Sequence, residues 1–137
     1  MRYAINLLSI FGLVLVWSCQ SSTITAAKLY IKQGETQKAV EQLEETLRLS
    51  PESTEAHFLL GKLLAAEGRY PEMVIHLERS ADLSPQYHGE IEKTRRHFWA
   101  REYNAGVGFA QEPGADLNQA LGAFGNATVI DENDLRA

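Results

Sequence analysis

From about residue 25 the apolar positions recur every three to four residues, the period that lays one stripe along a helix. Ala39, Val40, Leu43 and Leu47 make one stripe, and Val74, Leu77 and Ala81 make another. Each follows a more uniformly apolar segment, residues 25–33 and 56–67, so each stripe is the second helix of a pair. Gly34 and Gly68 stand inside these pairs, where a residue without a Cβ allows the left-handed turn of a helical hairpin. Ser50-Pro51 and Ser84-Pro85 end the second helices, because proline has no N–H to offer and restricts the residue before it. A serine at such a step can cap the helix that follows. The first residues follow another pattern: after Met1-Arg2, Ile5 to Trp17 is apolar except for Asn6, Ser9 and Gly12. A bilayer-spanning helix needs about 20 apolar residues and a signal-peptide core only ~7–15. Residues 1–18 therefore predict a signal peptide.

The two helix pairs are copies of one unit. Shifted by 34 positions, residues 26–53 fall on 60–87 with nine identities, among them Lys28/Lys62, Gly34/Gly68, Leu43/Leu77 and Pro51/Pro85. Unrelated segments of ordinary composition would share roughly two. A third unit is visible over residues 101–134, where Gly108, Ala120, Phe124, Ala127 and Ile130 take the repeating positions. It starts later than the period requires, and residues 88–100 carry no turn signal beyond Gly89. They are expected to lengthen its first helix, which would run from about Gln86 to Gln111. Glu112-Pro113-Gly114-Ala115 would be its turn, and Asp116 with Gln119 a capping box for the last helix. Gly108 is expected where a neighbouring helix packs closely, while Gly106 has no role in this register.

Ala27, Tyr30, Gly34, Ala39, Leu43, Leu47 and Pro51, with Leu60, Gly61, Gly68, Tyr70, Leu77, Ala81 and Pro85, resemble the tetratricopeptide repeat (TPR) family. His57, Met73 and Ser80 depart from its pattern. The resemblance implies an all-α fold: a right-handed α-solenoid of about three TPR hairpins, the third with an extended first helix. The repeats would occupy residues 25–53, 54–87 and 88–134, leaving a linker at 19–24 and an end at 135–137. It also implies a non-catalytic chain that binds a peptide or partner helix in a concave groove formed by the first helix of each unit. The groove positions carried over are Ile24, Lys28, Ile31 and Lys32 in the first unit, Phe58 and Lys62 in the second, and Phe109 in the third. Lys28 and Lys62 would form a basic ladder for an acidic segment. The lysine-asparagine clamp some TPR domains use for a C-terminal carboxylate is not expected, since Ser21, Thr25, Glu55, Leu59, Glu102 and Gly106 hold its positions.

Leu15-Val16-Trp17-Ser18-Cys19-Gln20 resembles a bacterial lipobox, in which the cysteine is lipidated and becomes the new N-terminus. Trp17 is bulkier than the residue such boxes prefer. The resemblance implies export, palmitate-type acylation of Cys19 and, from Gln20 after the cysteine, sorting to the outer membrane facing the periplasm. Several acyl chains, at ~0.8 kcal/mol per buried methylene, anchor stably where one is marginal. The combined expectation is a lipid-anchored scaffold that binds other envelope proteins. The alternative is a TPR segment of a longer envelope enzyme or sensor. No polar capping helix follows the third unit, so the face of Ala120, Phe124 and Ala127 is expected to dock a partner, to self-associate or to continue into further residues.

Charge and chemistry narrow this further. The 137 residues carry a net charge of −5, which argues against nucleic acid as the main partner. One cysteine makes no internal disulfide. His57, His76, His88 and His97 never fall four apart, the placement that puts two imidazoles on one helical face, so no metal is expected. No phosphate loop or haem motif is present and no cofactor is expected. Glu44-Glu45 and Asp131-Glu132 are expected to be solvated rather than acid/base pairs. Arg95 to Arg101, with Phe98 and Trp99, is the basic and aromatic stretch; its aromatics are expected to pack and its arginines to be exposed. The sequon at Asn126 falls inside a predicted helix and is discounted.

Overall fold

The computed structural model describes residues 20–112, 114 and 117–131. They form six α-helices: α1 (Gln20–Gln33), α2 (Thr36–Leu49), α3 (Thr54–Ala66), α4 (Tyr70–Leu83), α5 (His88–Gln111) and α6 (Leu117–Asp131), with one 3-10 turn, Pro85–Tyr87, ahead of α5. No strand occurs among the described residues. The signal peptide, Cys19, the capping-box residue Asp116 and the end at 135–137 lie outside them. The chain divides into two compact units, 1–56 and 57–137, with α3 running across the division.

In the first unit α1 and α2 form the expected hairpin. Gly34 has φ 74°, and the chain closes a Schellman turn: Gly34 N donates to Ile31 O at 3.2 Å and Glu35 N to Tyr30 O at 2.9 Å. The inner stripe of α2 is buried as its spacing requires, with Ala39 and Leu43 at 0% exposure and Val40 at 3%. Thr46, at the end of that stripe, is also buried; its hydroxyl donates to Gln42 O at 2.7 Å and shares a 2.8 Å hydrogen bond with the Thr23 hydroxyl. That contact ties down the first turn of α1. The helix therefore starts at Gln20 rather than Thr25, and the expected linker at 19–24 is helical from its second residue.

The second unit repeats the turn chemistry. Gly68 has φ 75°, Gly68 N donates to Ala65 O at 3.2 Å, and Arg69 N donates to Leu64 O at 2.9 Å. Met73 and Ser80, which depart from the small-residue pattern, are both fully buried at 0%. Ser84 accepts a hydrogen bond from Gln86 N at 3.2 Å and so caps the 3-10 turn, not a full helix. The long helix exists: α5 is continuous over 24 residues. Its N-terminal part begins at His88 because Pro85 holds the preceding turn in the tighter 3-10 form.

The third hairpin corrects the expected register. Between α3 and α4 the chain spends residues 67–69, whereas between α5 and α6 it spends residues 112–116, with Gly114 at φ 82°. The residues that meet across α5 and α6 lie 18 apart in the chain, against 16 across α3 and α4. A Cβ on Gly61 would meet Leu77 Cδ2 at 2.7 Å, and a Cβ on Gly106 would meet Phe124 Cε1 at 2.7 Å. Nothing lies within 4 Å of a Cβ on Gly108. The close approach expected at Gly108 belongs to Gly106.

Candidate interaction surfaces

The groove residues of the first unit lie along α1. Ile24 and Ile31 are half-buried, and Lys28 and Lys32 are exposed. Lys28 Nζ sits 2.6 Å from Glu55 Oε1, so its charge is already answered within the unit. An exposed pair of this kind adds little stability, ~0–1 kcal/mol, but lowers the lysine's attraction for a second carboxylate.

In the second unit Phe58 is 7% exposed and its ring stacks on Tyr87 at 4.3 Å between centroids. As a groove residue it supports the surface more than it forms it. Lys62 is exposed, its Nζ standing 5.3 Å from the Phe58 centroid, a cation–π placement that steadies the long side chain. Phe109 is half-buried near the end of α5. By the corrected register Tyr103 and Val107 of α5 take the places that Phe58 and Lys62 hold on α3.

Two arginines of the basic stretch on α5 are bonded to other helices. Arg95 donates from Nε and a terminal nitrogen to Ile130 O, at 3.0 and 2.7 Å, closing the C-terminal turn of α6 where carbonyls lack helical partners. Arg101 lies 4.7 Å from the Phe98 centroid and donates to the Tyr70 hydroxyl. Tyr70, 2% exposed, donates to Glu102 Oε1 at 2.8 Å, and Asn126 Nδ2 donates to Glu102 Oε2 at 2.9 Å. Burial pushes the Tyr70 hydroxyl up and the Glu102 hydrogen bond adds to it. At Glu102 burial acts upward too, but the hydrogen bonds from Asn126, Tyr70 and Arg101 outweigh it, so the carboxyl is held below its ordinary value. This cluster joins α4, α5 and α6; of the arginines expected to be exposed, Arg96 and Arg101 are, while Arg95 is half-buried against Ile130. No single-helix pattern signals it, since its members are 24 to 32 residues apart across three helices.

His57 and His76, nineteen apart in sequence, meet across α3 and α4 with Nδ1 to Nδ1 at 2.9 Å. One ring donates and the other accepts. Among the described residues no group of three or more histidine, cysteine or acidic side chains could hold a metal. None of the described helices is long and apolar enough to cross a membrane.

Residues 24–88 match the family model described as tetratricopeptide repeat. The match covers α1 to α4 and stops where α5 begins, which is where the long helix and the five-residue turn leave the family's spacing. No curated protein matches the chain. The hairpins and their glycine turns agree with that match: the described residues form an all-α helical repeat, and residues 24–88 are similar to tetratricopeptide repeats, units that generally serve protein–protein interaction and are typically non-catalytic.

Proposed function

We propose that the chain is a membrane-tethered scaffold of a bacterial envelope, acylated at Cys19 and holding partner proteins on the first helices of its repeats. The observation that carries the tether is the junction at residues 15–20: an apolar run ends in Ser18-Cys19, and helix begins at the next residue, Gln20. An acyl group on Cys19 would therefore hold the first hairpin against the bilayer surface, with no flexible spacer between. Gln20 after the cysteine supports the outer membrane, facing the periplasm. The interaction surface of the first unit rests on the exposed lysines Lys28 and Lys32 and the half-buried Ile24 and Ile31 of α1, a mixed surface suited to an acidic, amphipathic segment; in the second unit it rests on the exposed Lys62. Lys62 is the lysine of the proposed ladder with an exposed ammonium over an aromatic ring, whereas Lys28 faces Glu55.

Fractionation of cells expressing the full chain, with radiolabelled palmitate supplied, tests the tether. Wild type should label and sediment with outer membranes, and Cys19→Ala should lose both label and sedimentation. Retention of Cys19→Ala in the membrane fraction would remove the anchor from the account.

A further inference from the structure

Between α4 and α5 lies a cleft of about 230 Å³, with Leu77 and Glu78 on one side and Ile91 and Glu92 on the other. The two apolar side chains are buried, at 0% and 4% exposure. Glu92 is exposed and Glu78 half-buried. The Oε1 atom of Glu78 is out of reach of solvent and accepts no hydrogen bond. A buried acceptor without a donor is costly, and more so when it carries charge. Native chains keep few such atoms, so this one calls for an explanation. One repeat earlier, Glu44 stands at the same position and is exposed. The repeat pattern itself therefore does not put a carboxylate oxygen out of water.

The donors already in the cleft are committed elsewhere. Arg95 gives Nε and a terminal nitrogen to Ile130 O, at 3.0 and 2.7 Å. His88 gives Nε2 to Ala81 O at 3.1 Å. Neither reaches Glu78 Oε1. With two carboxylates against one guanidinium, the lining leans negative.

An apolar wall, an excess of carboxylate and an acceptor lacking its donor select one kind of occupant. A lysine or arginine side chain lays its methylene stem along Leu77 and Ile91 and brings N–H donors to the acid end. The terminal torsion of a glutamate is broad, so the Glu78 carboxylate can turn to present either oxygen to an entering donor. A neutral apolar side chain would leave the oxygen as it is, and an acidic one would meet like charge.

We propose that the α4–α5 cleft receives a lysine or arginine side chain of a partner protein, with Glu78 as its chief acceptor and Glu92 at the rim. The site has the opposite sign to the surface on α1 and α3. It depends neither on what that surface binds nor on acylation of Cys19.

Amide chemical shifts of the isotopically labelled full chain in mild detergent, titrated with butylammonium, test it. Shifts should move at Ala81, Ile91 and Glu92 and saturate, while the neutral analogue butyramide should leave them in place. Glu78→Gln should weaken butylammonium at least about tenfold, the worth of a charge-assisted hydrogen bond. Glu44→Gln, the same change at the exposed equivalent, should not. Glu78→Gln should also melt no lower than wild type, because no partner is left behind. A blocked tripeptide with a central lysine should bind at least as tightly as butylammonium. The proposal is overturned if butylammonium moves nothing, as when water alone fills the cleft, or if butyramide moves the same amides. Equal losses in Glu44→Gln and Glu78→Gln would reduce the effect to net charge and also overturn it. Markedly lower melting of Glu78→Gln would show the carboxylate already answered within the fold. A cleft that takes butylammonium but not the peptide would hold a free amine; either result overturns the proposal.

Discussion

His57 and His76 are the residues whose chemistry the fold changes most. With Nδ1 atoms 2.9 Å apart, the pair has room for one proton between the rings, and a second would aim two N–H groups at each other. His76 is held below its ordinary value of 6.5 by burial first and by the charge of His57 second. The folded chain therefore binds less proton here than the unfolded one. The stability this site contributes is complete above about pH 6.5 and falls as pH drops below it. Glu102, held below its ordinary 4.5, adds stability that is present above that value and is lost at more acid pH. Thermal melts across pH should thus show two successive losses, and His76→Gln should remove the first while leaving the second. A first loss that persists unchanged in His76→Gln would contradict this reading. Neither site was legible in the sequence. No spacing rule brings residues 57 and 76 together, and nothing in the sequence around Glu102 signals its bonds to Tyr70 and Asn126.

At the scale of the element, local rules carried far. Gly34, Gly68 and the Ser-Pro steps fixed the hairpins because their chemistry is backbone chemistry, readable one residue at a time. The length of α5 was legible for a similar reason: nothing between His88 and Gln111 stops a helix. What failed was register, which depends on turn length. The close contact lies at Gly106 and not at Gly108, and no single-residue signal reports such a shift. Alanine substitutions separate the two positions. Gly108→Ala meets open space and should stabilise the helix by about 0.5–1 kcal/mol through its better propensity. Gly106→Ala must push back the Phe124 ring, so the overpacking cost of about 1–3 kcal/mol outweighs that gain. Urea unfolding of both variants checks this, and the opposite ranking would restore the close approach expected at Gly108.

For the whole molecule, the net charge of −5 hides an uneven distribution. Exposed lysines stand on α1 and α3, α6 is almost without charge, and Arg95 and Arg101 of α5 are bonded within the fold. The chain thus carries two kinds of surface, a basic one proposed for a partner and a nearly uncharged one on α6. The family match over residues 24–88 makes interaction the general role. Which face carries it is measured most directly by photo-cross-linking in cells, with a photoreactive residue in place of Lys62 on α3 or of Ile75 on α4. The account predicts an adduct with another protein from position 62 that Lys28→Glu weakens little, Lys28 being paired with Glu55, and no such adduct from position 75. Adducts from position 75 alone, or none from position 62, would contradict it.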